Sequence, residues 1–145
     1  MCRPSLHSQR GEKGQALVEF SLALIPLLMM LLGTFDVGRG IYVYNAVAEA
    51  TREVARATSV HVGDPTGSST QTAAVVTKQQ SLVPHLSSAT FACVDISGAA
   101  VSHEPCQGGD GVKVTMSAPF SLITPILSSF MGPWTFSSSS TIVIP

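Results

Sequence analysis

The chain has little charge and little of what catalysis uses. Of its 145 residues only 12% are Asp, Glu, Lys or Arg, and eight basic against nine acidic side chains leave a net charge of −1. That balance raises no broad positive field, so electrostatic attraction of nucleic acid is excluded as a basis for function. No Gly-x-Ser-x-Gly elbow and no His-Glu-x-x-His motif occurs, and neither a serine hydrolase nor a zinc protease has a starting point. The expectation is a protein that is not an enzyme and carries no cofactor. The only asparagine, Asn45, is followed by Ala46 and Val47, so there is no N-glycosylation sequon.

Cysteine is also scarce. Cys2 has no apolar lipobox before it and is given no role. Cys93 and Cys106 lie beyond the long apolar run; on an oxidising side of a membrane they can close a loop of about 14 residues, a constraint of roughly 3 kcal/mol in chain-entropy terms. The alternative is a zinc set of His85, Cys93, His103 and Cys106, in which His103-x-x-Cys106 has ligand-like spacing. With two cysteines on an exported side, the disulfide is the simpler outcome.

What the chain does have is one apolar run, Ala16 to Phe35, ending just before Asp36. About 20 residues at roughly 1.5 Å each span about 30 Å, the thickness of a bilayer's hydrocarbon core. Arg3, Arg10 and Lys13 precede it against Glu12, while the charges beyond Phe35 are mixed, so the positive-inside tendency keeps the N-terminus cytoplasmic. The run is longer than a secretory signal core and ends in Thr34-Phe35-Asp36 rather than a small-x-small site. Glu19 interrupts it. A carboxylate costs about 2.5–3.5 kcal/mol at the centre of a membrane helix, and less near an end where it can snorkel.

Helical periodicity continues to about Val60, with Val37, Ile41, Tyr44, Ala48 and Thr51 on one stripe and Val43, Val47, Val54 and Thr58 on its neighbour. Glu49, Arg52, Glu53 and Arg56 form a charged face, expected to be solvated. Pro26, Gly33, Gly38 and Gly40 mark places where the helix can kink or unwind. After a Gly63–Ser69 turn, a short helix is expected from Thr72 to Leu82, with Val75, Val76, Gln79 and Leu82 as its apolar face, stopped before Pro84. Thr90–Ile96 reads as a strand. Val112–Ala118 alternates cleanly, with Val112, Val114 and Met116 on one face. Pro119 and Pro125 are expected to end regularity, and Trp134–Ile144 to form a last strand with Trp134, Phe136, Ile142 and Ile144 in phase. Ser137–Ser140 are expected to face outward on it, with glycan attachment as the lesser alternative. The fold class is therefore α+β: a long N-terminal transmembrane helix extending into a small exported domain with a short antiparallel sheet. About 85 residues is a marginal size for such a domain unless it is stapled or packed on partners.

Gly14-Gln15-Ala16-Leu17-Val18-Glu19-Phe20, preceded by basic residues, resembles a type IV prepilin processing site. Together with Pro26, Phe35-Asp36-Val37-Gly38-Arg39, Tyr42-Val43-Tyr44-Asn45-Ala46 and Ala50 through Arg56, it resembles the TadE-like family of tight-adherence (Tad) pilus and secretion systems. Ala118-Pro119-Phe120-Ser121-Leu122-Ile123-Thr124-Pro125 resembles a segment common in the exported domains of that family. Phe20 departs from the tyrosine of the related major pilins, which argues against the main pilus subunit. The resemblance implies a leader over residues 1–14, a transmembrane and amphipathic helix over 15–60 and an exported domain over 61–145. It implies cleavage between Gly14 and Gln15 by a prepilin-type peptidase, and subunit assembly through Glu19 and Phe20. The partners implied are the membrane, other Tad pilus or pseudopilin subunits and the inner-membrane assembly platform. The place implied is the inner membrane, crossed once, with the C-terminal domain periplasmic or extracellular. The rival expectation is an exported binding domain of the cell envelope that uses the helix only as an anchor.

Overall fold

The computed structural model describes residues 10–60, 69–101, 106 and 108–144, and side chains over these except at 10–13 and 125–127. Helix α1 spans Arg10–Val60 and α2 spans Thr70–Leu82, followed by strands β1, Thr90–Val94, and β2, Gly111–Phe120. A short helix α3, Pro125–Met131, then leads into β3, Trp134–Val143. The three strands form one antiparallel sheet in the order β1-β2-β3. The α+β expectation holds.

Helix α1 is continuous through Pro26 and begins at Arg10, inside the expected leader. Gly11 discourages helix by about 1 kcal/mol relative to Ala, but extending an existing helix is far easier than nucleating one. The distal half of α1 lies on the sheet. Val47, Ala50 and Val54 pack with Val112, Val114, Met116 and Ala118 of β2 in the core, each valine contributing about 1.5–3 kcal/mol by burial. Val43, Val47, Val54 and Thr58 thus make the inner stripe. Of the other expected stripe, Ala48 is half-buried and Thr51 fully buried, whereas Val37, Ile41 and Tyr44 are exposed. The buried hydroxyls of Thr51 and Thr58 donate to the carbonyls of Val47 and Val54 at 2.7 and 2.9 Å, which removes the cost of an unpaired polar group. Glu49, Arg52, Glu53 and Arg56 are exposed, as a solvated face requires.

Ser69 caps α2, its hydroxyl accepting from the Thr72 N–H at 3.1 Å. The helix packs through Thr72, Val75 and Val76, and the apolar residue buried at its end is Val83, not the exposed Leu82. Helix α2 ends at Leu82, and Val83 turns extended and inward.

Strand β1 stops at Val94, short of Ile96. Asp95 ends it by accepting the Ser97 N–H, the Ser97 hydroxyl and the Ala99 N–H at 2.8, 2.6 and 2.9 Å, an Asx-type turn. Strand β2, conversely, runs on through Pro119. Ser117, two residues earlier, turns its backbone away from β3, its carbonyl accepting the Ser87 N–H and its N–H donating to the Ser87 hydroxyl. The Pro119 nitrogen faces the same way, beyond the end of β1, so the missing N–H costs the sheet no hydrogen bond. Pro125 likewise does not end regularity; it opens α3 after the N-cap Thr124, the helical position proline tolerates best. On β3, Ser138 and Ser140 pair with Met116 and Val114 and so share their inward face. Of the four serines, Ser137 and Ser139 are exposed and Ser138 and Ser140 half-buried.

Candidate functional site: a bare apolar helix and the carboxylate at its exit

Among the described residues, one helix, α1, is long and apolar enough to cross a bilayer. Its proximal half is bare: Leu17, Phe20, Leu22 and Met30 are 63–77% exposed. A core helix of a water-soluble protein would bury such residues, so a non-aqueous environment is what this half requires. Gly14, Gln15, Glu19 and Phe20 all lie here and touch nothing in the folded domain. Gln15 and Glu19 are four residues apart and stack on one helix face. A Cβ at Gly14 would meet only open space.

The domain takes hold of α1 at Asp36, about 26 Å along the axis from Glu19. The Asp36 side chain is 1% exposed and is ringed by donors from the far end of the sequence. Its carboxylate accepts the Ile123 N–H at 3.0 and 3.1 Å, the Thr124 N–H at 2.9 Å and the Thr124 hydroxyl at 2.7 Å. Arg39, one turn on, adds an ion pair at 3.3 Å and reaches the Ser121 carbonyl at 3.5 Å. Its guanidinium also lies 5.3 Å from the centre of the Phe120 ring, a cation–π distance. The backbone N–H of Ile123 and then that of Thr124 hold the Asp36 carboxyl below its usual range, against the opposing effect of burial, with the Thr124 hydroxyl and Arg39 adding to the lowering. The chemistry is that of a clasp: a charge bound by oriented donors.

Next to the clasp, Val37, Ile41 and Tyr44 of α1 face Leu122, Trp134 and Phe136 across an apolar groove of about 380 Å³. Phe136 meets Tyr44 edge-on at 6.1 Å and Phe120 at 5.5 Å. A Cβ on Gly40 would sit 3.6 Å from Phe120, an ordinary contact.

Away from the helix, Cys93 on β1 is disulfide-bonded to buried Cys106. The bond leaves neither sulfur as a thiolate for zinc. His85 occupies an exposed turn, and His103 lies outside the described residues. Among the described residues no group of three His, Cys, Asp or Glu side chains gathers as a metal site.

Sequence reasoning treated Asp36 only as the end of the apolar run. The signal was available: Phe35–Arg39 and Ala118–Pro125 were two of the stretches that carried the family resemblance, and they supply the two halves of the clasp.

No curated protein and no solved structure matches the chain. Residues 14–56 match the family described as TadE-like protein, a span that holds Gly14, Glu19 and Asp36 and stops short of the sheet. The matched stretch is laid along the helix that joins the bare apolar segment to the folded core.

Proposed function

We propose that this protein is a minor pilin or pseudopilin of a Tad-type pilus or secretion system, held in the membrane by α1 and acting by subunit assembly rather than catalysis. The observation that carries the reading is Glu19 on the bare half of a TadE-like helix. An acid there is costly alone and much less so beside a cation. Cleavage by a prepilin-type peptidase after Gly14 would create an α-amine on Gln15, with a reference pKa of about 7.7–8.0 and so mostly protonated near neutral pH. Paired with the Glu19 of an incoming subunit, that amine sets the axial register of assembly. Phe20 packs beside the pair. The orientation that goes with this has the N-terminus in the cytoplasm and the sheet domain outside the inner membrane.

The test is Glu19→Gln at matched membrane levels. Insertion should be unchanged, while recovery with pilus subunits should fall sharply. Intact-mass measurement of the membrane-extracted wild-type protein should find a chain beginning at Gln15. Unchanged assembly by Glu19→Gln would remove the pairing role and leave α1 as an anchor for an exported binding domain.

A further inference from the structure

The membrane-facing end of the sheet domain is built differently from the rest. Residues 114–145 contain no Asp, Glu, Lys, Arg or His. Within that stretch Ile123, Phe130, Met131 and Trp134 remain 45–86% exposed although the sheet beside them has a complete core. Ile123, Phe130 and Met131 belong to the turn that joins β2 to β3 through α3, and Trp134 opens β3 at its end. The clasp fixes where this turn lies: the Ile123 and Thr124 N–H groups are bound to Asp36, the first residue after the apolar run of α1. A run of about 20 apolar residues fills the hydrocarbon core, so the next residue stands in the interfacial layer. The exposed charges of α1, Glu49, Arg52, Glu53 and Arg56, begin 13 residues on, about 20 Å farther from that layer. The two charges near the turn are Asp36, buried, and Arg39, paired with it.

We propose that α3 and Trp134 form a second membrane contact, seated in the interfacial layer of the leaflet that α1 leaves at Asp36. Tryptophan favours this layer, where a large ring meets acyl chains at headgroup level. The Trp134 ring brings no unpaired donor into it, because its Nε1–H donates to the Met131 carbonyl at 3.0 Å. An uncharged apolar turn beside a spanning helix meets lipid before it meets any protein, and lipid is the occupant that needs no charge complement. The proposal rests on the membrane-spanning reading of α1 and not on a role in assembly.

Trp134 is the only tryptophan, so its emission reports on this turn alone. The full chain is reconstituted in phosphatidylcholine vesicles with and without bromine on the upper part of the acyl chains. Loss of emission with brominated lipid, at every protein-to-lipid ratio and diminished in Phe130→Asp with the disulfide intact, is the expected result. A chain that survives alkaline carbonate washing while Trp134 ignores bromine and is quenched by aqueous acrylamide would overturn the proposal and leave the spanning reading in place. A chain released by carbonate overturns both. Protection that grows with protein-to-lipid ratio and ignores bromine would assign the face to a second copy of the chain, against the proposal.

Discussion

Asp36 binds the hydroxyl and the backbone N–H of Thr124 with one carboxylate oxygen, at 2.7 and 2.9 Å, across 88 residues of sequence. One residue at the end of the apolar segment thus ties the β2–α3 connection of the folded domain onto α1. The remaining contacts between sheet and helix are apolar and non-directional, so the clasp is what fixes their register near the membrane.

Asp36→Ala should lower the melting temperature of the folded domain and loosen the β2–α3 turn, seen as faster amide exchange at Ile123 and Thr124. Asp36→Asn keeps an acceptor but turns an NH₂ group toward bound donors, and should recover only part of the loss. The folded carboxyl is held below its ordinary value near 3.8. Its stabilisation is therefore complete above that value and lost as pH falls through the lowered one. Asp95, held low chiefly by the Ser97 hydroxyl and then by the Ala99 N–H, acts in the same direction. Melting followed from neutral pH to about pH 3 should fall more steeply in wild type than in Asp36→Asn.

The disulfide ties β1 to the connection that leads into the central strand. Cys93→Ser or Cys106→Ser should cost about 2–5 kcal/mol, the range for native disulfides of small exported domains. Denaturant unfolding of each variant measures the loss, and alkylation without reductant should find no free thiol at either position in the native protein.

Gly111 opens β2 between two side chains. A Cβ there would lie 2.9 Å from Thr141 Cγ2 and 3.1 Å from Val94 Cγ2, so Gly111→Ala should destabilise by about 1–3 kcal/mol through overpacking. Gly40→Ala is the matched comparison: its added methyl would meet Phe120 at 3.6 Å, an ordinary contact, and should be tolerated. Equilibrium unfolding of the two variants should separate them clearly.

Much of this fold was legible because its signals were local. The apolar run and the alternation of Val112, Val114 and Met116 each specify an element within a few residues. Misreadings came where tertiary context decides. Pro119 reads as a breaker, and only the vacancy beyond β1 lets it sit in the middle strand. Ser138 and Ser140 read as outward-facing, although the period-two alternation of β3 places them on the face of Phe136 and Ile142. Helix α3 is too short to show a period, and its single cue was proline after threonine. The clasp was unreadable as such, because a carboxylate and two backbone N–H groups 87 and 88 residues away leave no spacing to find.

The continuity of α1 has an angular consequence. At about 100° per residue, the 17 positions from Glu19 to Asp36 leave the two carboxylates roughly a quarter-turn apart around the helix axis. With no break at Pro26 and the sheet domain tied at Asp36, the azimuth of that domain is tied to the direction in which Glu19 points. Adding or deleting one residue between them would swing the domain by about 100° while changing its height by only about 1.5 Å. In the proposed assembly, a neighbour paired with Glu19 thereby meets one particular side of the sheet.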